Sequence, residues 1–381
     1  MKIICIASSA IGHIDFGGKG FLQLSQYLQK KEHTILWLSL HDQVQRLNIA
    51  GFEVIQANEL SKLSLRPFFS KREIDNNLTF HNQRIEAINK LFIQINKIKP
   101  ELIICDRLLV YVGLIAEQLR VPYLAIGTPG GNWKFDDFEK QVNIHMVPKP
   151  NKDYTEYTET LKQALNWKKG DSSSAWLNSP YLNITFMPNG FYSNVNMELY
   201  ANIYHFQEDK PSEKKTWGLS FGNQGQQKEL CLLLNDLVSK SSFLLPIHVF
   251  TGHHQALYNE LNIKYDSKQI ILHSWIDFKH GLINLNGLIF LGGIGTIWHC
   301  INKNIPMFIL SGFLGDQLEN AKIIDELKIG KCLSGSTDEL TNITKREIQQ
   351  YIENIKDIKK FKNYSDTMES ICNRIENITK K

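Results

Sequence analysis

An imidazole and a carboxylate follow two apolar runs in the first third of the chain. His13 comes after KIICIA, Lys2–Ala7, and Asp106 ends ELIICD, Glu101–Asp106. If both runs are parallel strands, the two side chains lie at one edge of the sheet, where open α/β folds bind ligands. Histidine there can act as a general base, and the aspartate can orient the ring and offset its charge. A histidine considered alone could equally be a surface or helix-cap residue.

A glycine-rich turn ends a third apolar run, FLGGIGT, Phe290–Thr296. Glycines let the backbone approach a ligand, and the N-terminus of a following helix offers free N–H groups to phosphate. A threonine hydroxyl can add one more donor, and the family resemblance described below implies a second phosphate loop after LSF. The residues predicted to bind phosphate are Gly222, Asn223, Gly292, Gly293, Gly295 and Thr296.

Apolar runs alternate with helix-like segments along most of the sequence, which predicts parallel βαβ units with strands buried on both faces. The predicted strands include KIICIA, TILWLSL, FEVIQ, ELIICD, VPYLAIG, TWGLSF, LPIHVF, QIILHSW, NGLIFLGG and PMFILSG. Between residues 131 and 211 this alternation is lost, and the polar stretch FQEDKPSEKK marks a linker. We therefore expect two α/β halves with ligands between them: residues 1–208, residues 209–360, and a helical tail at 361–381.

Composition excludes several classes of protein. The chain of 381 residues is 43% hydrophobic and 22% charged with a net charge of +4, which is ordinary for a globular protein and gives no basic patch for nucleic acid. The six cysteines are scattered without a CxxC pair, which favours a reducing compartment. No apolar segment is long enough to span a bilayer, and the N-terminus is typical of a core strand rather than a signal peptide. We expect a cytoplasmic protein.

Four ordered motifs together resemble one family, the inverting sugar-nucleotide-dependent glycosyltransferases of the plant and bacterial natural-product type. The motifs are SAIGHIDFG, LIICDRL, WGLSFGN and the stretch His273–Ala321, which resembles the donor-binding box of that family. The resemblance covers Lys2 to about Gly330. It implies a GT-B fold, in which two Rossmann-like domains face each other across a cleft, and a C-terminal helix that packs back on the N-terminal domain.

The resemblance also implies roles for particular residues. His13 would be the general base and Asp106 its partner, and Trp275 would stack on a pyrimidine base unless it is a core residue. Asp316 and Gln317 match the pair that binds the sugar hydroxyls. The co-substrate would be a UDP- or TDP-sugar, with no cofactor and no metal ion, and the acceptor a hydroxyl of a hydrophobic small molecule.

Two positions depart from the donor pattern. Leu291 stands where the family has a histidine that donates to the diphosphate, and leucine can donate nothing. His299 stands where the plant type has a glutamate that binds ribose, and an imidazole can make only one such bond. Three hypotheses remain: an active glycosyltransferase, a relative that no longer turns over and serves as a partner subunit, and a relative with altered chemistry at the dyad.

Aromatic residues are concentrated in an irregular segment of the N-terminal half, GGNWKFDDFEKQVNIHM. Loops of this kind often line binding pockets. Trp133, Phe135 and Phe138 are therefore candidates for an apolar acceptor site, with ordinary loop packing as the alternative.

Overall fold

The computed structural model describes residues 1–7, 16–63, 78–106, 109–127, 162–166, 179–185, 187, 191, 200–202, 216–222, 227–240, 245–252, 254–274, 285–310, 315–333, 338–360 and 368–380. The chain divides into two compact units. The first unit contains Met1–Met187, Ser193–Tyr204 and Ser365–Lys381. The second contains Pro188–Tyr192 and His205–Tyr364.

The first unit is built on a parallel sheet of seven strands. Its strands are β1 Lys2–Ile6, β2 Thr34–Ser39, β3 Glu53–Gln56, β4 Leu102–Asp106, β5 Tyr123–Ile126, β6 Leu182–Thr185 and β7 Tyr200–Asn202. The helices between the strands are α1 Phe16–Lys30, α2 His41–Ile49, α3 Leu78–Ile98 and α4 Val110–Leu119, with a 3-10 turn at Asn58–Lys62. The strand order is β3-β2-β1-β4-β5-β6-β7, as in a doubly wound fold.

Apolar residues cover both faces of this first sheet. On β1, Ile4 belongs to a cluster with α3 and α4, while Ile3 belongs to a cluster with α1. Because successive side chains of a strand point to opposite faces, an unbroken apolar run is what a strand between two helix layers requires. On the α1 side Trp37 is fully buried, and its ring centroid lies 4.7 Å from that of Phe21.

The end of the chain also belongs to the first unit. Helix α11, Met368–Thr379, buries Ile371, Cys372 and Ile375 in the same cluster as α1. The Oε1 of its Glu376 lies 3.2 Å from Nε2 of His33, within hydrogen-bond distance.

The second unit is built on a parallel sheet of six strands. Its strands are β8 Thr216–Ser220, β9 Ile247–Phe250, β10 Ile270–His273, β11 Leu285–Phe290, β12 Met307–Leu310 and β13 Gly330–Leu333. Its helices are α5 Gln227–Lys240, α6 Gln255–Lys264, α7 Ile294–Lys303, α8 Gly315–Glu326, α9 Asp338–Thr341 and α10 Lys345–Lys360. The order β10-β9-β8-β11-β12-β13 is again doubly wound.

One face of the second sheet packs against α5 and α6 through an apolar cluster that includes Leu219, Val249, Ile289 and Phe308. Helix α10 begins with a capping box. The Thr344 N–H donates to Glu347 Oε2 at 2.7 Å, and the Glu347 N–H donates to Thr344 Oγ1 at 3.2 Å. The bond from the Thr344 N–H, together with one from the Thr344 hydroxyl to the same Oε2 at 2.7 Å, lowers the pKa of the Glu347 carboxyl. No helix among the described residues is long and apolar enough to cross a membrane.

Candidate active site

Each sheet has one point at which the strand order reverses. In the first sheet it lies between β1 and β4, and in the second between β8 and β11. Open α/β sheets bind ligands outside the carboxyl ends of the strands at this point. Of the predicted residues, Asp106 ends β4, Gly222 follows β8, and Gly292, Gly293 and Gly295 follow β11.

Asp106 is buried, with 4% of its surface exposed, at the carboxyl end of β4. The Leu109 N–H donates to the Asp106 carbonyl at 2.9 Å, which starts the turn into α4. Burial raises the pKa of the Cys105 thiol, and the Asp106 carboxylate next to it raises that pKa further. A buried carboxylate at a ligand-binding edge is a suitable orienting group for an imidazole.

The glycine turn after β11 leads directly into α7. Gly292 has φ +86°, a conformation that only glycine adopts without strain, and Gly293 is the N-cap residue of α7. The first helical hydrogen bond runs from the Ile297 N–H to the Gly293 carbonyl at 3.1 Å. The N–H groups of Ile294, Gly295 and Thr296 therefore precede the helical ladder, and they are available to an anion.

The space in front of this turn is open. A β-carbon added at Gly293 or Gly295 would meet no atom of the described residues within 4 Å, and the same holds at Gly222, whose φ is +64°. At Gly222 the backbone N–H contacts Ser220 Oγ at 3.4 Å. Glycines with open space beside them thus follow two neighbouring strands, β8 and β11, and glycine turns of this kind suit the approach of a phosphate.

Helix α8 packs against the back of the glycine turn. A β-carbon at Gly292 would lie 3.0 Å from the Gln317 carbonyl oxygen, and the Asn320 side-chain amide donates to the Gly292 carbonyl at 2.9 Å. Gln317 has 8% of its surface exposed, and its Oε1 has no hydrogen-bond partner in the described part of the chain. Such a buried acceptor is stabilised by a ligand hydroxyl. Asp316 is the second residue of α8.

Thr296 and His299 share one side of α7, because they are three residues apart. Both side chains are half-buried. The His299 ring contacts the ring of Trp298 edge to face, with centroids 5.0 Å apart. Among the described residues, no group of three or more His, Cys, Asp or Glu side chains is placed to hold a metal ion.

Leu291 is part of the core of the second unit. It has 7% of its surface exposed and belongs to the apolar cluster that contains Leu219, Phe221 and Ile289. The leucine that stands here in place of the family's histidine is therefore surrounded by apolar side chains.

Two histidines on neighbouring strands meet: His248 is the second residue of β9, and His273 is the last residue of β10. His248 Nδ1 and His273 Nε2 are 2.9 Å apart, and the ring planes are inclined by only 11° with centroids 5.1 Å apart. The centroids are much farther apart than the two nitrogens, so the rings meet edge to edge and share one N–H···N hydrogen bond. Burial lowers the pKa of both imidazoles, and His248 lowers the pKa of His273 further.

Several predicted residues lie outside the part of the chain that the structure describes. They are His13, Asn223, Trp275, Trp133, Phe135 and Phe138. Sequence reasoning missed Asn320 and Ser220. The signal for Asn320 was a polar residue three positions after Gln317 in GDQLENA, which puts both on one face of a helix.

Comparison with known proteins gives similarity in structure alone. No protein-family model matches the sequence, and no curated protein matches it either. The solved structures that resemble it include CalG4, the calicheamicin glycosyltransferase, with a TM-score of 0.73 and 16% identity over 99% of this chain and 98% of that one. A glycotransferase of kitacinnamycin has a TM-score of 0.72 and 14% identity over the same shares. The glycosyltransferase VinC, solved in complex with dTDP, has a TM-score of 0.67 and 14% identity over all of both chains.

The fold is therefore the GT-B fold of glycosyltransferases, with two Rossmann-like domains. The resemblance found in the sequence motifs is confirmed at the level of the fold, since natural-product glycosyltransferases match the whole chain.

Proposed function

We propose that this protein is a glycosyltransferase that moves a sugar from a nucleoside diphosphate sugar to a hydroxyl of a hydrophobic small molecule. The observation that carries the proposal is the open glycine turn before α7. Its accessible N–H groups at the strand-order reversal of a GT-B fold suit a diphosphate. UDP and TDP are the proposed nucleotides, and a structural neighbour has been solved with dTDP.

In the proposed reaction, His13 removes the proton from the acceptor hydroxyl as its oxygen attacks the anomeric carbon. The bond between that carbon and the diphosphate oxygen breaks, and the sugar is transferred with inversion. Asp106, buried at the end of the strand that neighbours β1, would orient the imidazole and offset the charge of its protonated form.

The diphosphate leaves with its negative charge, which the N–H groups and dipole of α7 stabilise without a divalent cation. Gln317 supports a sugar subsite beside the turn, because its buried Oε1 needs a donor such as a sugar hydroxyl. Asp316, in the same turn of α8, is proposed to bind the sugar with it. Thr296 is proposed to contact a phosphate oxygen, and His299 and Trp275 the nucleoside.

For the acceptor, we propose an apolar pocket lined by Trp133, Phe135 and Phe138. Residues 1–208 would form the acceptor-binding domain and residues 209–360 the donor-binding domain. We propose that the enzyme acts in the cytoplasm. Small hydrophobic alcohols and phenols are the first compounds to test, because they combine an apolar body for this pocket with a hydroxyl for transfer.

The test begins with calorimetric titration of the protein with UDP and TDP. Micromolar binding of either supports the donor site, and a lack of binding to both favours altered chemistry or a partner subunit. A mass-spectrometric screen with mixed nucleotide sugars and a panel of hydrophobic alcohols and phenols then identifies the product.

With a turnover assay in hand, His13→Ala should lower kcat by about 10²- to 10⁴-fold and leave nucleotide affinity nearly unchanged. Asp106→Asn should lower kcat by less, because it removes the partner of the base and not the base itself. Wild-type rates in both variants would contradict the proposed dyad.

A further inference from the structure

The peptide that joins Gly292 to Gly293 has a glycine on each side. Gly292 has φ +86°, and Gly293 has φ −63° with ψ 130°. Neither residue has a β-carbon, so local steric contacts leave this peptide plane free to rotate. Whatever fixes its orientation must come from elsewhere in the second unit.

Asn320 supplies that constraint. Its side chain is buried, with 2% of its surface exposed, and its Nδ2 donates to the Gly292 carbonyl at 2.9 Å across 28 positions of sequence. The backbone of Gln317, one turn earlier on α8, closes the same side, because a β-carbon at Gly292 would lie 3.0 Å from its carbonyl oxygen. The Gly292 carbonyl is therefore held against α8.

The orientation of the carbonyl also decides the orientation of the next N–H. In a trans peptide, such as this one, the C=O and the following N–H point in opposite directions. With its carbonyl directed at Asn320, the peptide directs the Gly293 N–H away from α8. A β-carbon added at Gly293 would meet no atom of the described residues within 4 Å, so there is room for a ligand beside this residue.

We propose that Asn320 is a positioning residue for the diphosphate: it locks the Gly292–Gly293 peptide so that the Gly293 N–H joins the free N–H groups of α7 as a donor. This inference rests on the proposed donor site. Asn320 itself does not touch the diphosphate in this proposal. It holds the Gly292 carbonyl and thereby sets the direction of the Gly293 N–H.

The variant Asn320→Asp tests the lock, since it keeps the shape of the side chain and replaces the amide donor with a carboxylate oxygen that repels the Gly292 carbonyl. UDP or TDP should bind the variant about tenfold more weakly or worse, because a donor to the charged diphosphate is misdirected. Binding of uridine or thymidine, which lack phosphate, should stay the same. A residue that only stabilises the fold would not separate the two ligands in this way.

Asn302→Asp is the matched control. Asn302 is also buried in the second unit, with 6% of its surface exposed, and its amide donates to the Trp298 carbonyl at 3.2 Å, within α7. This variant should bind UDP or TDP as the wild type does. Equal diphosphate affinity in Asn320→Asp and wild type would overturn the inference while leaving the donor site intact. Failure of the wild type to bind either nucleotide would overturn both.

A second measurement applies if Asn320→Asp does not fold. In wild-type protein labelled with [¹⁵N]glycine, the Gly293 amide signal should move when UDP or TDP is added and stay in place with the nucleoside alone. A Gly293 amide signal that does not move when UDP or TDP is bound would overturn the proposed role.

Discussion

Leu291→His distinguishes a core residue from a ligand-binding residue. The leucine has 7% of its surface exposed and lies in the apolar cluster with Leu219 and Phe221. Replacing it loses part of the about 1.5–3 kcal/mol that a buried leucine contributes. Burying an imidazole without a partner costs about 1–3 kcal/mol more. We expect the second unit to lose about 2–5 kcal/mol of unfolding free energy, with no gain in UDP or TDP affinity.

Hydrogen–deuterium exchange of peptides from β11 and α7 measures this loss in the second unit separately from the first. Calorimetric titration with UDP and TDP measures affinity on the same samples. Leu291→Met, which nearly conserves volume, is the control and should cost less than about 1.5 kcal/mol. An equally stable histidine variant that binds either nucleotide more tightly would refute the assignment of Leu291 to the core.

Three further predictions concern the second unit. Burial lowers the pKa of His248 and His273, so the folded state resists their protonation. The free energy of unfolding is therefore unaffected by the pair above the ordinary histidine pKa of about 6.5. It decreases as pH falls from there through the lowered pKa values. Exchange protection of β9 and β10 should therefore fall between about pH 7 and pH 5 in wild type, and a double variant with glutamine at both positions should show a smaller change. Thr344→Ala removes the cap of α10 and should destabilise that helix by about 1 kcal/mol, measured by exchange of its first turns; an unchanged rate would mean that the cap contributes nothing. Gly330→Ala should disrupt the pairing of β12 with β13, because the added methyl group would overlap the Met307 carbonyl; a variant with native melting behaviour would contradict this.

Much of the fold is encoded in local patterns. Continuous apolar runs such as KIICIA and ELIICD predict buried parallel strands, because a strand covered on both faces needs no polar alternation. The strands β6, β7 and β13 were not predicted. Strands β6 and β7 lie in the stretch 131–211, where the sequence shows no strand–helix alternation, and β13 has the sequence GKCL, which is not an unbroken apolar run. Pairing with neighbouring strands makes these segments strands.

The candidate site likewise has some features that the sequence predicts and others that only the tertiary structure shows. The sequence by itself determined the glycine turn and the start of α7, since glycine spacing and a following helix are local features. Tertiary structure alone decided that Leu291 is part of the core, that Asn320 holds the Gly292 carbonyl, and that His248 meets His273. These contacts join residues on different strands and helices. They depend on strand order and register, which are set by long-range packing and cannot be predicted from the local hydrophobic periodicity of the sequence.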